Sequence, residues 1–342
     1  MGHRSYEQAA DKVWRPFRAS GETRDAILRE LIRYATLAAS SHNTQCWTFE
    51  AKGDRVTIRP DLTRRCPAVD PDDHHLFVSL GCAAENLVQA ASAHGYHGEV
   101  GIREADGNAV VITLEPAPPR VSALFDAIPF RQNTRTPYDS TPVAPADMRQ
   151  LARADAGTGM HLEILSTPLQ LAKLRAFVID GNTAEDTNPA FIAELRNWIR
   201  FNDADAIATG DGVLSRLTGS PSLPGWLGGA LLGTFLSPKS DGDHYASLVR
   251  HSAAIAIFVS EHDDVHHWVE AGRAYQRFAL QATALGIRMS MLNQAVEVAP
   301  VRARFTEAFG FAGGRPDLIV RIGHGPTVAR SLRRPVGAVL VA

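Results

Sequence analysis

Two stretches of this chain carry the same small residues at the same spacing. Gly81 is followed by Ala83, Ala91, Ala93 and Gly95, and Gly272 by Ala274, Ala282, Ala284 and Gly286. Leu87 and Phe278 each stand six residues after the first glycine. A helix face made of Gly and Ala lets a second backbone approach closely. Each stretch ends at a glycine, a common helix stop, and leads to strand-forming residues, 109–114 in one case and 318–322 in the other. Between them Glu115-Pro116-Ala117-Pro118-Pro119 reads as the clearest linker. The pattern predicts a duplication with divergence, an N-terminal half at 1–119 and a C-terminal half at 120–342. The sharper use of the small faces is a pseudo-two-fold interface between the halves; the plainer one is ordinary helix-on-sheet packing.

Length agrees with two units, since 342 residues exceed one ordinary small core. Apolar residues make up 45%, as in globular chains, and the net charge of −2 gives no reason to expect nucleic acid or an anionic membrane as partner. Cys46, Cys66 and Cys82 are odd in number and form no CxxC pair, so neither a disulfide framework nor a zinc site is expected, and a reducing cytoplasm fits. Residues 1–20 have no apolar run, so no signal peptide is expected, and no stretch reads as a membrane span.

In chain order, residues 1–20 read as a short amphipathic lead-in, and 24–38 as a helix with Ile27, Leu28, Leu31 and Ile32 at helical spacing. Then comes Ser40-Ser41-His42-Asn43-Thr44-Gln45-Cys46-Trp47. Its hydroxyl and amide side chains compete for backbone hydrogen bonds, which stops a helix. It is either a simple helix-to-strand turn or a loop that holds a polar planar ligand. A hairpin of 47–51 with 56–60 follows, then an irregular stretch to Asp73, with His74-His75 read as a solvated turn before a helix that runs from about Leu76 to His94. Past the linker, Arg131-Gln132-Asn133-Thr134-Arg135-Thr136-Pro137 sets two guanidinium groups about an amide, which suits either a phosphate clamp or a solvated pair. Arg330, Arg333 and Arg334 form a basic tail.

The Ser40–Trp47 run resembles the Pro-Ser-Ser-x-Asn-x-Gln-Pro-Trp loop of the nitroreductase family, with Ala39 and Cys46 in place of its prolines. The segment from Arg131 resembles that family's Arg-Arg-Ser-x-Arg, with Asn133 in place of Ser, and 272–294 is similar to its central interface helix and the flavin-contacting strand after it. Asp70-Pro71-Asp72 and Gly81-x-Ala83-x-Glu85-Asn86-Leu87 resemble the tandem, Acg-like branch, in which two halves share a chain. The resemblance implies an α+β, nitroreductase-like fold, with two tandem halves packed as an intrachain pseudo-dimer around FMN. It implies one composite site. The Ser-Ser loop lies in the N-terminal half, the corresponding place at 154–160 has nothing like it, and the Arg segment lies in the C-terminal half.

In that implied site Arg131, Asn133, Arg135 and Arg333 surround the phosphate. Ser40, Ser41 and Asn43 line the ribityl chain and ring, with Gln45 in the same loop. His42 either touches the flavin or caps a backbone group. Leu292, Asn293 and Gln294 reach the isoalloxazine edge from a strand. The implied reaction passes a hydride from NAD(P)H through flavin to a small-molecule acceptor, such as a nitro compound or quinone. No side-chain acid or base is required, and no convincing carboxylate dyad or Ser-His-Asp order is seen. A monomer or weak homodimer is expected.

Residues 203–243 interleave glycines such as Gly225, Gly228 and Gly229 with Leu223, Trp226, Leu231, Leu232 and Phe235, and read as neither a linker nor a stable helix. Such a stretch is either a lid over an apolar ligand face or a self-packing loop. A fixed lid would favour a non-catalytic flavin-storing protein over an enzyme. His262-Asp263-Asp264-Val265-His266 mimics a two-histidine metal helix without a third ligand, and Gly323-His324-Gly325 lacks the helix and third glycine of a dinucleotide fingerprint.

Overall fold

The computed structural model describes residues 2–17, 21–154, 159–235 and 238–341. The first helices are α1 (Gly2–Val13) and α2 (Arg24–Thr36). The Thr23 hydroxyl accepts the Ala26 amide and starts α2, and Leu28, Leu31, Ile32 and Ala35 bury its inner face. β1 (Trp47–Lys52) and β2 (Arg55–Pro60) turn through Gly53-Asp54, with Gly53 at φ +62°. Next come α3 (His74–Ala93), β3 (Tyr96–Arg103) and β4 (Ala109–Pro116).

The chain continues with α4 (Ala123–Ala127), α5 (Pro145–Arg153), β5 (Met160–Leu165), α6 (Pro168–Asp186) and α7 (Pro189–Trp198). The short strands β6 (Ile199–Arg200) and β7 (Val213–Leu214) flank α8 (Asp203–Thr209). Then follow α9 (Gly225–Phe235), α10 (Pro238–Arg250), β8 (Ala254–Ser260), α11 (Val265–Ala284) and β9 (Arg288–Met291). The last elements are α12 (Gln294–Glu297), α13 (Ala299–Phe309), β10 (Arg315–Gly323), α14 (Val336–Val339) and β11 (Leu340–Val341).

Two larger sheets result, in the orders β11-β1-β2-β4-β3 and β5-β8-β10-β9. Neighbours are antiparallel, except that β11 joins β1 in parallel with Leu340 beside Phe49. The last strand of the chain therefore sits in the sheet built by residues 47–116. Every residue of β8 and β10 is buried, because helices cover both faces of that sheet. One continuous core joins α2, α3 and α11 with apolar residues from both sheets, and a second core lies between α6, α13 and the other face of β8–β10.

Helices α3 and α11 cross at the repeated glycines. A Cβ on Gly81 would lie 2.0 Å from the Val269 carbonyl oxygen, and one on Gly272 would lie 1.9 Å from that of Val78. The contact is reciprocal: each glycine meets the residue three positions before the other. Around it, Gln276 Nε2 donates to Asn86 Oδ1 at 2.7 Å, and Arg273 and Arg277 pair with buried Glu85 at 3.3 and 2.9 Å. Helix α3 is long and apolar enough to cross a membrane by composition, but 78% of its most apolar window is buried inside the fold.

Three readings of the sequence need correction here. His74 and His75 are not a solvated turn. They begin α3 and are buried, because Asp70 Oδ1 and Oδ2 accept the His75 and Leu76 amides at 3.0 Å each and fix the helix start. Residues 203–243 are largely helical, and Gly228 serves packing: a Cβ there would lie 2.2 Å from the Phe201 ring. The side chains of Leu231, Leu232 and Phe235 lie outside the described residues, as do 155–158 of the stretch set against the Ser-Ser loop. The linker is not free: Glu115 and Pro116 finish β4, the Ala117 amide donates to Gly95 O and the Arg120 amide to Ser92 O. His262 precedes α11, which starts at Val265 under an Asp264 cap, so His262 and His266 do not share a helix face.

Candidate functional site

The loop 40–45 is held in a backbone shape that side chains rarely adopt. His42, Asn43 and Gln45 have φ of +45°, +56° and +54°. Such strain persists only where neighbours fix it. The Gln45 amide donates to Ser40 Oγ at 3.0 Å, and the Ser41 amide to Ser79 Oγ at 3.3 Å. Asn43 Nδ2 donates to Gly212 O at 2.9 Å and Leu332 O at 3.2 Å, and Gln45 Nε2 to Gly210 O at 2.9 Å. Arg333 Nη1 donates to Asn43 Oδ1 at 2.8 Å, and the Arg334 amide to Gln45 Oε1 at 2.8 Å. Two remote segments, 210–212 and 332–334, thus brace the loop.

The loop opens on a cavity of about 570 Å³, within the range of small-molecule sites. Ser40, Ser41 and His42 form one wall; Asn133 and Arg135 another; Ser290, Asn293 and Gln294 a third. Residues of α6 and α10, among them Glu185, Asp186, Asp241 and Tyr245, close it on a further side. Phe201, Val213, Leu223 and Gly228 supply an apolar face.

The structure brings seven of the expected site residues to this cavity: Ser40, Ser41, His42, Asn133, Arg135, Asn293 and Gln294. The other five lie behind it. Asn43 and Gln45 brace the loop as described. Leu292 is fully buried in the core, its amide donating to Ile319 O at 2.8 Å. It follows the end of β9, and Gln294 begins α12, so the segment is not a strand. Arg333 caps α2: its Nε donates to Thr36 O at 2.7 Å and its Nη2 to Leu37 O and Ala38 O at 3.2 and 3.0 Å. Burial, helped by the charge of Arg131, pushes Arg333 down to about 9. Arg131 is buried with Nη2 on Leu37 O at 3.3 Å, while its Nε and Nη1 have no hydrogen-bond partner.

Arg135 differs. It enters the cavity half-buried, and no hydrogen bond or ion pair to it occurs among the described residues. Burial lowers its pKa, the Tyr245 and Tyr275 hydroxyls partly offset this, and Arg131 adds to it. A cation so placed favours an anionic ligand. Two further polar atoms of the wall, His42 Nδ1 and Gln294 Oε1, are buried without a protein partner.

A carboxyl pair in this cavity corresponds to no local motif in the chain. Glu185 of α6 and Glu297 of α12 both line the cavity, and each alters the ionisation of the other. Burial, then the charge of Glu297, drives Glu185 well above its ordinary range. Burial also opposes ionisation of Glu297, but its bond to His75 and the neighbouring imidazoles outweigh burial and hold it low. Behind the pair runs a buried row. His75 Nε2 lies 3.0 Å from Glu297 Oε1, His75 Nδ1 lies 2.7 Å from His74 Nδ1, and His74 Nε2 lies 2.8 Å from Asp317 Oδ1. Asp317 Oδ2 accepts the Ser260 amide at 2.9 Å and the Ser260 hydroxyl. Burial lowers His74 strongly, and Glu297 and Asp70 raise His75 despite its burial. Two proton assignments satisfy every contact: a charged His75 donating to both neighbours with neutral His74 donating to Asp317, or a protonated Asp317 donating to His74, His74 to His75 and neutral His75 to Glu297. The ligand atoms of Asp70, His74 and His75 lie within 4.8 Å of one another, but both Asp70 oxygens are taken by the α3 cap.

No family model matches the chain. A protein of Mycobacterium tuberculosis (strain ATCC 25618 / H37Rv), "Putative NAD(P)H nitroreductase Rv3131", is 30% identical over 315 residues, covering 89% of this chain and 87% of the relative. The chain belongs to the nitroreductase family. The same identity and coverage hold for "Putative NAD(P)H nitroreductase MT3217" of Mycobacterium tuberculosis (strain CDC 1551 / Oshkosh). Among solved structures, the FMN-dependent nitroreductase NfnB of Mycobacterium smegmatis in complex with NADPH is 15% identical, with a TM-score of 0.41 over 64% of this chain and 91% of that one. The nitroreductase with bound FMN of Bacteroides fragilis NCTC 9343 is 14% identical, with a TM-score of 0.37 over 60% of this chain and 90% of that one. In this nitroreductase-family chain, the loop and Arg segment singled out in the sequence contribute to one cavity through Ser40, Ser41, His42, Asn133 and Arg135.

Proposed function

We propose that the cavity binds FMN and that the chain is an FMN-dependent oxidoreductase. In this reading it takes reducing equivalents from NADH or NADPH and gives them to a small acceptor such as a nitro compound or quinone. One observation carries the reading: an Arg135 guanidinium with no hydrogen bond or ion pair among the described residues faces the same cavity as the strained Ser40-Ser41-His42 turn. The donor set fits the cofactor. Arg135 suits the phosphate, and the hydroxyls and amides of Ser40, Ser41, Asn133 and Asn293 suit the ribityl chain and the ring edge. The carboxyls at the α6 and α12 side would repel a phosphate, which orients it towards Arg135. Arg131 and Arg333 then act from behind, the first through charge and the second by holding the loop. Bound FMN supplies the redox chemistry, and the protein orients it and limits access of water.

The tandem organisation belongs to the same proposal. The reciprocal contacts of Gly81 with Val269 and of Gly272 with Val78 are what a pseudo-two-fold axis between α3 and α11 produces. A chain built this way completes its site without a second copy, and a monomer or weak dimer follows.

A second reading has one observation in its favour. Phe201, Val213, Leu223 and Gly228 wall the cavity from the 199–228 region, so this segment would act as a fixed lid over a stored flavin. Steady-state oxidation of NADH and NADPH by the FMN-loaded protein, with a quinone as acceptor, separates the two. Turnover supports the enzyme; very slow flavin reduction without turnover supports storage.

A further inference from the structure

Reducing a nitro group or a quinone consumes protons as well as electrons, and the relevant question is which group on the cavity wall holds one. Glu185 is 8% exposed, lines the cavity, and has an Oε1 with no hydrogen-bond partner. Glu297 lines the same cavity, and burial of Glu185 beside that charge favours its neutral acid form. Glu297 is also paired with His75, at 3.0 Å, and His75 with His74. The row therefore runs from the protein interior to the cavity surface and ends on an acid.

We propose that Glu185 is the proton donor to the acceptor bound in this cavity, recharged from His75 through Glu297. The inference rests on the oxidoreductase reading above. For a quinone, the acceptor takes a hydride at one oxygen, which is what reduced FMN supplies. The Glu185 O–H bond breaks and its proton goes to the other oxygen, giving the hydroquinone. The carboxylate left on Glu185 takes a proton through Glu297 from His75 Nε2, and a proton from bulk water resets the row. Position, not reach alone, selects Glu185. Asp186 accepts from Asn182 Nδ2 at 2.8 Å, whereas Glu185 lies beside Glu297 and its His75 contact. Tyr245 of α10, His42 of the loop and Arg135 are the other titratable or charged groups around the carboxyl pair. His244 also lines the cavity on the α10 side. The proposal selects acceptors that need a proton on reduction over those that take electrons alone.

The test uses full-length protein loaded with FMN, as wild type, Glu185→Gln and Glu297→Gln. Infrared spectroscopy reads the C=O stretch of a protonated carboxyl before any turnover. Stopped-flow then follows reoxidation of the reduced protein by a quinone, which needs a proton, and by ferricyanide, which does not. The expected result is loss of the band in Glu185→Gln, about 100-fold slower reoxidation by quinone, and reoxidation by ferricyanide within about twofold of wild type. Glu297→Gln keeps the acid but removes the adjacent negative charge. It is expected to keep the band, shift its pH midpoint downward, and move the quinone pH profile with it. Absence of a protonated-carboxyl band from the wild type minus Glu185→Gln difference spectrum, or quinone and ferricyanide rates that fall together, overturns the assignment. If Glu185→Gln does not fold, an unmoved quinone profile in Glu297→Gln overturns it instead. Failure of wild type to bind FMN or to reoxidise with quinone marks failure of the underlying reading, and the assignment falls with it.

Discussion

Arg333 Nη1 donates to Asn43 Oδ1 at 2.8 Å while the same guanidinium takes up the Thr36, Leu37 and Ala38 carbonyls at the end of α2. One side chain thus finishes the helix and fixes the strained turn after it. Arg333→Ala leaves several buried acceptors unsatisfied, and a loss of about 3 kcal/mol or more is expected in urea denaturation. Arg333→Lys recovers only part, because an ammonium cannot span the same fork of acceptors. A loss under about 0.5 kcal/mol, the range of an ordinary surface change, would mean the loop is braced by other means.

The helix crossing gives a sharper steric prediction. A methyl group at Gly81 or Gly272 would sit about 2 Å from a backbone oxygen of the facing helix, where no side chain can give way. Either glycine-to-alanine change is expected to cost about 3 kcal/mol or more, or to prevent accumulation of folded protein. Gly101, with nothing within 4 Å of its built Cβ, is the control and is expected to change stability little. Thermal melts of the three variants check this.

Asp317 makes stability depend on pH. Burial raises its carboxyl from 3.8 to about 7, with Ser260 and Arg315 offsetting part of the shift. The folded state therefore keeps a proton that the unfolded chain releases near pH 4. This contribution is complete below the unfolded value and is lost as pH rises through about 7. In Asp317→Asn it disappears. The stability of wild type relative to that variant, measured by denaturation between pH 4 and pH 8, is expected to fall as pH rises, roughly over the window set by linkage. A difference that grows with pH contradicts the assignment.

Local chemistry made the scaffold legible. Helical spacing in 24–38, the glycine turns at Gly53 and Gly95, and the Gly/Ala faces of α3 and α11 each act through neighbours in sequence. The loop at 40–45 was legible as a polar interruption, but not that Asn43 and Gln45 turn away from the cavity towards 210–212 and 332–334. That depends on contacts almost 300 residues apart along the chain. The same holds for the Arg residues. Arg131, Arg135 and Arg333 look equivalent as letters, and only packing decides that Arg135 faces the cavity while Arg333 closes a helix. His74 and His75 look solvated because polar pairs before helices usually are, whereas their partners Asp317 and Glu297 come from the far end of the sequence. The Glu185–Glu297 pair joins two helices with no shared motif, so no local signal could reveal it.

A single FMN site built around Arg135 is open to direct titration. Protein freed of flavin is titrated with FMN, following the quenching of flavin fluorescence, in wild type, Arg135→Ala and the surface control Arg304→Ala. The account predicts one FMN per chain in wild type and in Arg304→Ala, and affinity about 10- to 100-fold weaker in Arg135→Ala, with a normal melting profile in all three. No saturable binding in wild type, two sites per chain, or equal affinity in wild type and Arg135→Ala would contradict it.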